Sequence, residues 1–314
     1  MQMPKLVTVI GGSGFIGRQV VQDLAQAGIR VRVGCRDPEA ALDLKPMGDV
    51  GQVTPIQVNI RDDASVQSVV QGADAVVNLV GILAEGGKQK FRAVQAEGAG
   101  RVARAATAAG VKSFVQISAI GASETSRAAY ARSKAMGEAA VREAFPDAVV
   151  LRPSIVFGPR DSFFNMFAGM AQLSPALPLI GGGKTKFQPV YVGDVAAAVM
   201  AALTKPETRG KTYELGGPAE YSFKELLEMM LKETGQKACL LSIPFPVAAL
   251  MGTLTGWLPG APLTRDQVEM LKTDNVVSSG SEGLSALGVT PTAIQAVLPT
   301  YMDVYRRGGR FASV

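Results

Sequence analysis

The feature that most constrains this chain is an alternation of short apolar runs with segments of helical periodicity, which extends from residue 5 to 152. The apolar runs predict strands at 6–10, 31–35, 55–58, 75–79, 114–117 and 149–151. Helices are expected after Gly14 and over 64–70, 91–109 and 130–145. Near-continuous apolar runs are typical of parallel strands covered on both faces by crossover helices. We therefore predict an α/β fold with a doubly wound parallel sheet.

A glycine-rich turn separates the first predicted strand from the first helix, with the sequence Gly-Gly-Ser-Gly-Phe-Ile-Gly over residues 11–17. Glycines at this junction permit a tight turn, a close approach of the backbone to a pyrophosphate and close packing of the helix, whose N-terminus attracts the anion. The turn predicts a Rossmann domain that binds a dinucleotide. The expected contacts are Gly11, Ser13, Gly14, Phe15, Ile16, Gly17 and Arg18.

The end of the second predicted strand indicates which dinucleotide is bound. An acid there would accept hydrogen bonds from a free ribose 2′-hydroxyl and favour NAD. The sequence has Arg36 instead, which with Arg18 offers donors suited to a 2′-phosphate and so predicts NADP(H). Asp37 is followed by Pro38, and we interpret it as the N-cap of a short helix. A solvated surface arginine is the alternative interpretation of Arg36.

Two further turns are expected to contact the cofactor. Asn59 and Ile60 follow the third strand, where an adenine contact belongs, and the neighbouring Asp62 and Asp63 can equally be helix-capping residues. At the end of the fourth strand the chain should pass the ribose and nicotinamide. The residues expected there are Leu79, Val80 and Gly81.

Tyr130 and Lys134 are four residues apart, on one face of a predicted helix. A free tyrosine titrates near pH 10, so proton transfer at neutral pH needs a stabilised phenolate, and a lysine ammonium beside an oxidised nicotinamide provides that. Ser118, at the end of the fifth strand, can hydrogen-bond a substrate carbonyl or hydroxyl. We predict that Ser118, Tyr130 and Lys134 are catalytic and also line the cofactor. Taken alone, the tyrosine and lysine would be an interfacial tyrosine and a solvated lysine.

The composition excludes several other kinds of site. The 314 residues include no histidine, which excludes an imidazole base, a Ser-His-Asp triad and a histidine-ligated metal. Cys35 and Cys239 have no neighbouring ligands, so we predict no metal site and interpret both as packing residues. A net charge of +5 without basic clusters among aromatics argues against nucleic-acid binding. Met1 is followed almost at once by a strand, without a targeting peptide, so a cytoplasmic location is expected.

Beyond residue 153 the alternation loosens, and proline and glycine separate shorter elements. We predict that residues 1–152 form the NADP(H)-binding Rossmann domain. Residues 153–314 should form a smaller C-terminal α/β subdomain, interleaved with the first, that lies on the substrate side and returns strands to the sheet edge. Two helix starts are predicted by capping boxes, in which Ser222 precedes Glu225 and Thr264 precedes Gln267.

No charged residue occurs from Ala238 to Thr264, and residues 247–258 are almost wholly apolar. These 12 residues are too few to span a bilayer, which needs about 20. They could lie on a membrane surface or against a partner, with Trp257 near the interface. In the membrane interpretation the basic tail meets anionic headgroups through Arg306, Arg307 and Arg310. The alternative is an ordinary packed helix over the substrate pocket.

The glycine turn, Ser118, Tyr130 and Lys134 together resemble the short-chain dehydrogenase/reductase superfamily. Residues 152–159 and 190–196 resemble segments of its extended branch, and the resemblance covers nearly the whole chain. It implies further cofactor contacts at Pro153, Ser154 and Ile155. The chain departs from the branch at Asn59, where an acid is often found, and at Gln95, where an asparagine is common.

Within that branch, residues 143–147, 152–164, 188–192 and 263–269 resemble the NADPH-binding alpha-subcomplex subunit 9 of respiratory complex I (NADH:ubiquinone oxidoreductase) and its bacterial relatives. That family binds NADPH and is regarded mainly as a structural or assembly component. The resemblance implies bound NADPH, respiratory complex I subunits as partners and a peripheral position on the cytoplasmic face of the inner membrane. The alternative is an active NADP(H)-dependent oxidoreductase, or an epimerase/dehydratase, that acts on a carbonyl or alcohol.

Overall fold

The computed structural model describes residues 3–255, 263–306, 308 and 309, which form two compact units. The first unit contains residues 1–153, 193–215 and 280–290. The second contains residues 154–192, 216–279 and 291–314.

The strands and helices of the described residues are numbered in chain order. The strands are β1 Leu6–Ile10, β2 Arg30–Cys35, β3 Val53–Gln57, β4 Ala75–Asn78, β5 Ser113–Ile117, β6 Val149–Pro153, β7 Val156–Phe157, β8 Ala176–Ile180, β9 Lys186–Phe187, β10 Val190–Tyr191, β11 Thr212–Leu215, β12 Tyr221–Ser222 and β13 Cys239–Ile243. The helices are α1 Phe15–Gln26, α2 Asp63–Val70, α3 Glu97–Ala108, α4 Ala129–Ala144, α5 Phe164–Leu173, α6 Val192–Thr204, α7 Phe223–Thr234, α8 Phe245–Thr255, α9 Arg265–Met270, α10 Ile294–Val297 and α11 Pro299–Met302.

The first unit is built on a seven-stranded sheet with the order β11-β6-β5-β4-β1-β2-β3, in which neighbouring strands are parallel. The predicted α/β fold with a doubly wound parallel sheet is confirmed, and each predicted strand lies within two residues of an observed one. The strand order reverses between β1 and β4, and in such sheets ligands bind at the carboxyl ends of the strands beside that point. β11 returns to the sheet edge beside β6, as expected.

Burial explains why the central strands could be recognised. All four residues of β4 are buried, and four of the five in β1 are buried. One face of this sheet packs against helices through a core that includes Val66, Val102, Phe114 and Val141. Apolar side chains on both faces remove water from nearly the whole of β1 and β4, which stabilises these two strands although neither alternates in polarity.

The predicted helix over 91–109 is interrupted. A π-helical turn at Arg92–Ala96 precedes α3, and the carbonyl oxygen of Gln95 then meets α4 where Gly137 has no side chain. A π turn places one extra residue in the helix and is often found at functional sites. Helical periodicity did not predict it, because the turn is associated with a contact between Gln95 and Gly137, which lie on different helical segments.

The second unit contains short strand pairs and an aromatic core. β7 pairs with β10 and β8 with β13, both parallel, whereas β9 and β12 are antiparallel. The rings of Phe163, Phe167 and Phe223 lie within 6 Å of one another, mostly edge to face. Both predicted capping boxes are confirmed, at the starts of α7 and α9.

The apolar stretch is helical where the structure describes it. α8 covers residues 245–255, whereas Trp257, Leu258, Arg307 and Arg310 lie outside the described residues. Within the described part of the chain, no helix is both long and apolar enough to cross a bilayer. Cys35 is buried as expected, but Cys239 is exposed, so its interpretation as a packing residue is wrong.

Candidate functional site

The glycine turn joins β1 to α1 at the carboxyl edge of the sheet. Gly11 has φ +83°, and its amide donates to the Gly34 carbonyl of β2 at 2.8 Å. A Cβ atom added at Gly17 would lie 2.5 Å from the Gly11 carbonyl oxygen, so α1 starts in direct contact with the turn. Gly14 is the N-cap, and no described side chain caps this helix. The first amides of α1 can therefore bind an anion, as a dinucleotide pyrophosphate requires.

The residues after β2 bear on the choice of nucleotide. Arg36 is exposed directly after β2. Asp37 accepts from the amides of Glu39 at 3.1 Å and Ala40 at 3.3 Å, so its side chain caps the short 3-10 helix Glu39–Met47, although Pro38 and not Asp37 directly precedes that helix. The Asp37 carboxylate is therefore already hydrogen-bonded to backbone amides. Arg18 pairs with Asp43 at 2.6 Å and also donates to the Ser13 carbonyl, so a phosphate would have to compete for its guanidinium.

The turn after β3 is held mainly by its own hydrogen bonds. The Asn59 side chain accepts from the Arg61 amide at 3.2 Å, and Asp62 caps α2 by accepting from the Ser65 amide at 2.7 Å. Ile60 is buried, and its carbonyl accepts from Arg101. Asp62 is therefore a helix cap, and the adenine contact of Asn59 and Ile60 stays a prediction.

The segment after β4 is shaped by polar residues that sequence reasoning missed. Asn78 is buried, donates to Gln116 on β5 at 2.8 Å and accepts from the Val80 amide at 3.3 Å. This pair ties Val80 to the carboxyl ends of β4 and β5. The available signal was an asparagine and a glutamine near the carboxyl ends of two neighbouring, otherwise mostly apolar strands. The predicted contacts of Leu79, Val80 and Gly81 lie on this segment, beside Gly11.

The predicted tyrosine and lysine lie on the first two turns of α4. Lys134 is only 6% exposed, and its Nζ atom lies 5.7 Å from the centre of the Tyr130 ring. A Cβ atom added at Gly81 would lie 3.1 Å from that Nζ, so the lysine reaches the end of β4. Ser118 follows β5, and its buried Oγ has no hydrogen-bond partner among the described residues. An unsatisfied buried hydroxyl is costly, which is consistent with a ligand contact.

Burial dominates the titration of the two α4 residues. It raises the pKa of Tyr130 to about 12, and it lowers the pKa of Lys134 to about 8, against the opposing effect of the Glu138 carboxylate. At neutral pH the phenol is therefore protonated and the ammonium is mostly charged. A protonated phenol beside a cation can donate a proton to a developing alkoxide.

Gln95 was noted in the sequence only as a departure from the extended branch. Its Nε2 donates to Ser133 at 3.1 Å, and Ser133 donates to the Tyr130 carbonyl at 2.7 Å. Its Oε1 is buried without a hydrogen-bond partner in the described part of the chain and would lie 3.4 Å from a Cβ atom at Gly81. The π-helical turn thus adds a second unsatisfied acceptor beside Lys134.

A buried ion network holds α4 against the sheet, and sequence reasoning missed it. Arg152 on β6 donates to Glu138 at 2.9 and 2.7 Å and lies 3.5 Å from Glu214 on β11. The hydrogen bonds that Arg152 donates to Glu138 raise the pKa of Arg152. Glu138 is four residues after Lys134, and the charge of its carboxylate acts to raise the pKa of that lysine. Only Arg152 had been noted, as part of a sequence motif.

The remaining predicted cofactor contacts are divided between the units, with Pro153 in the first and Ser154 and Ile155 in the second. Pro153 ends β6, and its carbonyl accepts from the Ile120 amide at 3.0 Å. Ser154 and Ile155 belong to the second unit, where both donate to Asn275, at 2.7 and 3.1 Å. Their role in cofactor binding stays a prediction.

Comparison with known proteins identifies the family. Residues 7–216 match the NAD dependent epimerase/dehydratase family. Over 97% of its length the chain is 37% identical to NADH dehydrogenase [ubiquinone] 1 alpha subcomplex subunit 9, mitochondrial, of Arabidopsis thaliana, and it covers 79% of that protein. It is 30% identical to a ceramide reductase of Caulobacter vibrioides, with 79% of this chain and 77% of that protein covered.

A solved structure supports the fold. The NADPH-dependent quinone oxidoreductase of Escherichia coli, complexed with NADPH, matches with a TM-score of 0.71 at 23% identity, over 94% of this chain and 98% of that one. The resemblance to subunit 9 of complex I is confirmed by the relatives. On these grounds the chain belongs to the NAD dependent epimerase/dehydratase family, whose fold is that of the short-chain dehydrogenases/reductases.

Proposed function

We propose that the first unit binds NADP(H), with the pyrophosphate on the N-terminus of α1 and the 2′-phosphate on Arg36. The observation that carries the proposal is the hydrogen bond from Gly11 to Gly34, because it sets the end of β2, and so Arg36, directly beside the glycine turn. The Asp37 carboxylate caps a helix and accepts backbone hydrogen bonds there, so Arg36 is the residue left to recognise the 2′-phosphate of the ribose.

Nucleotide titrations test this assignment. Arg36→Asp removes a charge-assisted contact to phosphate, so we expect NADPH affinity to fall by about 10- to 100-fold while NADH affinity is kept or improved. Arg30→Asp is the matched control, because Arg30 is an exposed arginine at the opposite end of β2. Equal losses in the two variants, or a wild-type protein that prefers NADH, would contradict the proposal.

For the physiological role, we infer an accessory or assembly component of respiratory complex I that keeps NADPH bound. The support is the similarity to complex I subunit 9 over 97% of the chain. In this role the nucleotide stabilises the folded state by mass action and needs no turnover. Partners would be other complex I subunits, and the chain would lie peripherally on the cytoplasmic face of the inner membrane.

Affinity purification from native membranes tests that role. Tyr130→Phe should co-purify with complex I subunits as well as the wild type does, because the role does not use the phenol. Wild-type protein that recovers no complex I subunit from gently solubilised membranes would refute it. Mass spectrometry of the nucleotide released on denaturation identifies the bound cofactor in the same sample.

A second candidate function is a reductase, favoured by the buried Lys134 close to the Tyr130 ring, by the unsatisfied Ser118 and by the similarity to a ceramide reductase. Bound NADPH would be the hydride source for reduction of a carbonyl carbon. The Tyr130 phenol donates the proton to the carbonyl oxygen, Lys134 stabilises the resulting phenolate, and Ser118 donates a hydrogen bond to the same oxygen.

Turnover separates the two functions. A reductase should oxidise NADPH only when a carbonyl substrate is added, and a keto form of ceramide is the first to try, given the similarity to a ceramide reductase. Tyr130→Phe should reduce that rate at least about 100-fold with little change in NADPH affinity. A rate that survives the substitution would contradict the mechanism.

A further inference from the structure

The outer face of α8 is apolar and exposed. Its members, at helical spacing, are Val247, Leu250, Met251 and Leu254, which are 48%, 61%, 46% and 63% exposed. Positions separated by three, four and seven residues lie on one side of a helix. We call these four residues the outer face.

The inner face of the same helix is also apolar and is covered. Ala248 is fully buried and packs with Val268 of α9. A Cβ atom added at Gly252 would lie 2.8 Å from the Arg265 amide nitrogen, so α9 approaches the backbone of α8 directly. Soluble proteins usually place polar residues opposite such a face. α8 does not, and the charge-free segment around it extends from Ala238 to Thr264.

The polar chemistry of α8 favours lipid over a protein partner. Thr253 is exposed, and its hydroxyl donates to the Ala249 carbonyl of the same helix at 2.8 Å. The outer face therefore offers apolar surface, and this hydroxyl is already satisfied. A bilayer interior offers no hydrogen bonds and requires such self-sufficiency, whereas protein interfaces carry about one hydrogen bond per 100–200 Å².

The size and charge of the region support the same choice. Four half-exposed side chains present roughly a few hundred Å² of apolar surface, well below the about 800 Å² that each partner buries in a stable dimer. Lys237 and Arg265 are exposed at the two ends of the charge-free segment, where they can meet anionic headgroups. Asp266 follows Arg265, so apolar insertion rather than charge should supply most of the affinity.

We propose that the outer face of α8 inserts into the interfacial layer of a lipid bilayer and holds the protein at the membrane surface. The proposal rests on the membrane part of the proposed function and deepens it, but vesicle flotation tests it without nucleotide and without complex I subunits. Vesicle binding and NADPH affinity are measured separately, so failure of one is distinguishable from failure of the other.

Flotation with vesicles tests the proposal, using phosphatidylcholine alone and phosphatidylcholine with a minority of phosphatidylglycerol. Wild-type protein should float with both, more strongly with the anionic vesicles. The double substitution of Leu250→Ser and Leu254→Ser should lower the partition coefficient at least about tenfold. The matched control is Leu173→Ser, because Leu173 is 91% exposed on α5 of the same unit, and it should bind like the wild type.

Three results would overturn the proposal. Wild-type protein could stay in the soluble fraction with every vesicle, or the double variant could float like the wild type. Light scattering could show a wild-type dimer that the double variant converts to a monomer, in which case the outer face meets a second copy. Unchanged NADPH affinity and melting temperature in the double variant would establish that the loss of flotation is not caused by misfolding.

Discussion

Replacing the buried lysine of the candidate site should stabilise the nucleotide-free protein. Lys134 is 6% exposed, and burial lowers its pKa from 10.5 to about 8. A lysine perturbed in this way weakens folding by roughly 3 kcal/mol below pH 8, relative to a lysine that stays in water. Lys134→Met keeps the length of the side chain and removes the charge. We therefore expect the free energy of unfolding to rise by about 2 to 3 kcal/mol at pH 7.

The gain should depend on pH in a defined direction. Because the folded-state pKa of Lys134 lies below its unfolded-state value, the destabilisation is complete below pH 8 and is relieved as the pH rises towards 10.5. The melting temperature of Lys134→Met should exceed that of the wild type by about 3 to 5 °C at pH 7. The two melting temperatures should converge as the pH approaches 10.5.

Thermal unfolding followed by circular dichroism, without nucleotide and at several pH values, measures this difference. Lys88→Met is the control, because Lys88 is exposed and its removal should change nothing. A Lys134→Met protein that melts at or below the wild-type temperature at pH 7 would refute the reasoning, and so would a difference that stays constant with pH. The same variant should be stabilised less by NADPH, since it sacrifices a predicted cofactor contact for stability.

Three further predictions concern the supports of the site. Gly17→Ala brings a Cβ within 2.5 Å of the Gly11 carbonyl oxygen and should weaken NADPH binding at least about tenfold. Gly169→Ala is the control, because a Cβ there has nothing within 4 Å, and equal NADPH affinities of the two variants in calorimetry would contradict the prediction. Glu138→Gln removes a carboxylate that binds Arg152, so the free energy of unfolding in urea should fall by about 1 to 3 kcal/mol. Because the wild-type carboxylate acts to raise the pKa of Lys134, that pKa, measured by NMR, should be lower in the variant, and an unchanged pKa would count against the coupling. Tyr301→Phe removes a 2.6 Å hydrogen bond to buried Asp161 and should cost about 1 to 2 kcal/mol in the same assay, without altering NADPH affinity; a change in affinity would link the second unit to the nucleotide.

The sheet was predictable because each central strand is marked by an apolar run within its own few residues. β1 and β4 are buried along nearly their whole length, so their apolar runs mark them without reference to partners. The capping boxes of α7 and α9 were predictable for the same reason, since each is completed within four residues. The interruption before α3 was not, because it depends on the contact between Gln95 and Gly137 across two helices.

The residues of the candidate site also fall into those that local sequence predicted and those that it did not. The glycine turn, Ser118, Tyr130 and Lys134 were identified from residue type and order, and the structure sets Lys134 near Tyr130 and the end of β4. Gln95, Asn78 and the partners of Arg152 were missed as site residues, because their roles exist only once distant segments pack together.

By itself, the sequence determined the order of strands and helices, the glycine turn between β1 and α1 and the residue types available for chemistry, since each depends on a short stretch of chain. Only the tertiary structure decided which polar groups are left unsatisfied, how far burial moves the pKa of Lys134, and which face of α8 is left uncovered by the rest of the described chain. The physical reason is that desolvation depends on every segment that surrounds a group, and those segments are far apart in the chain.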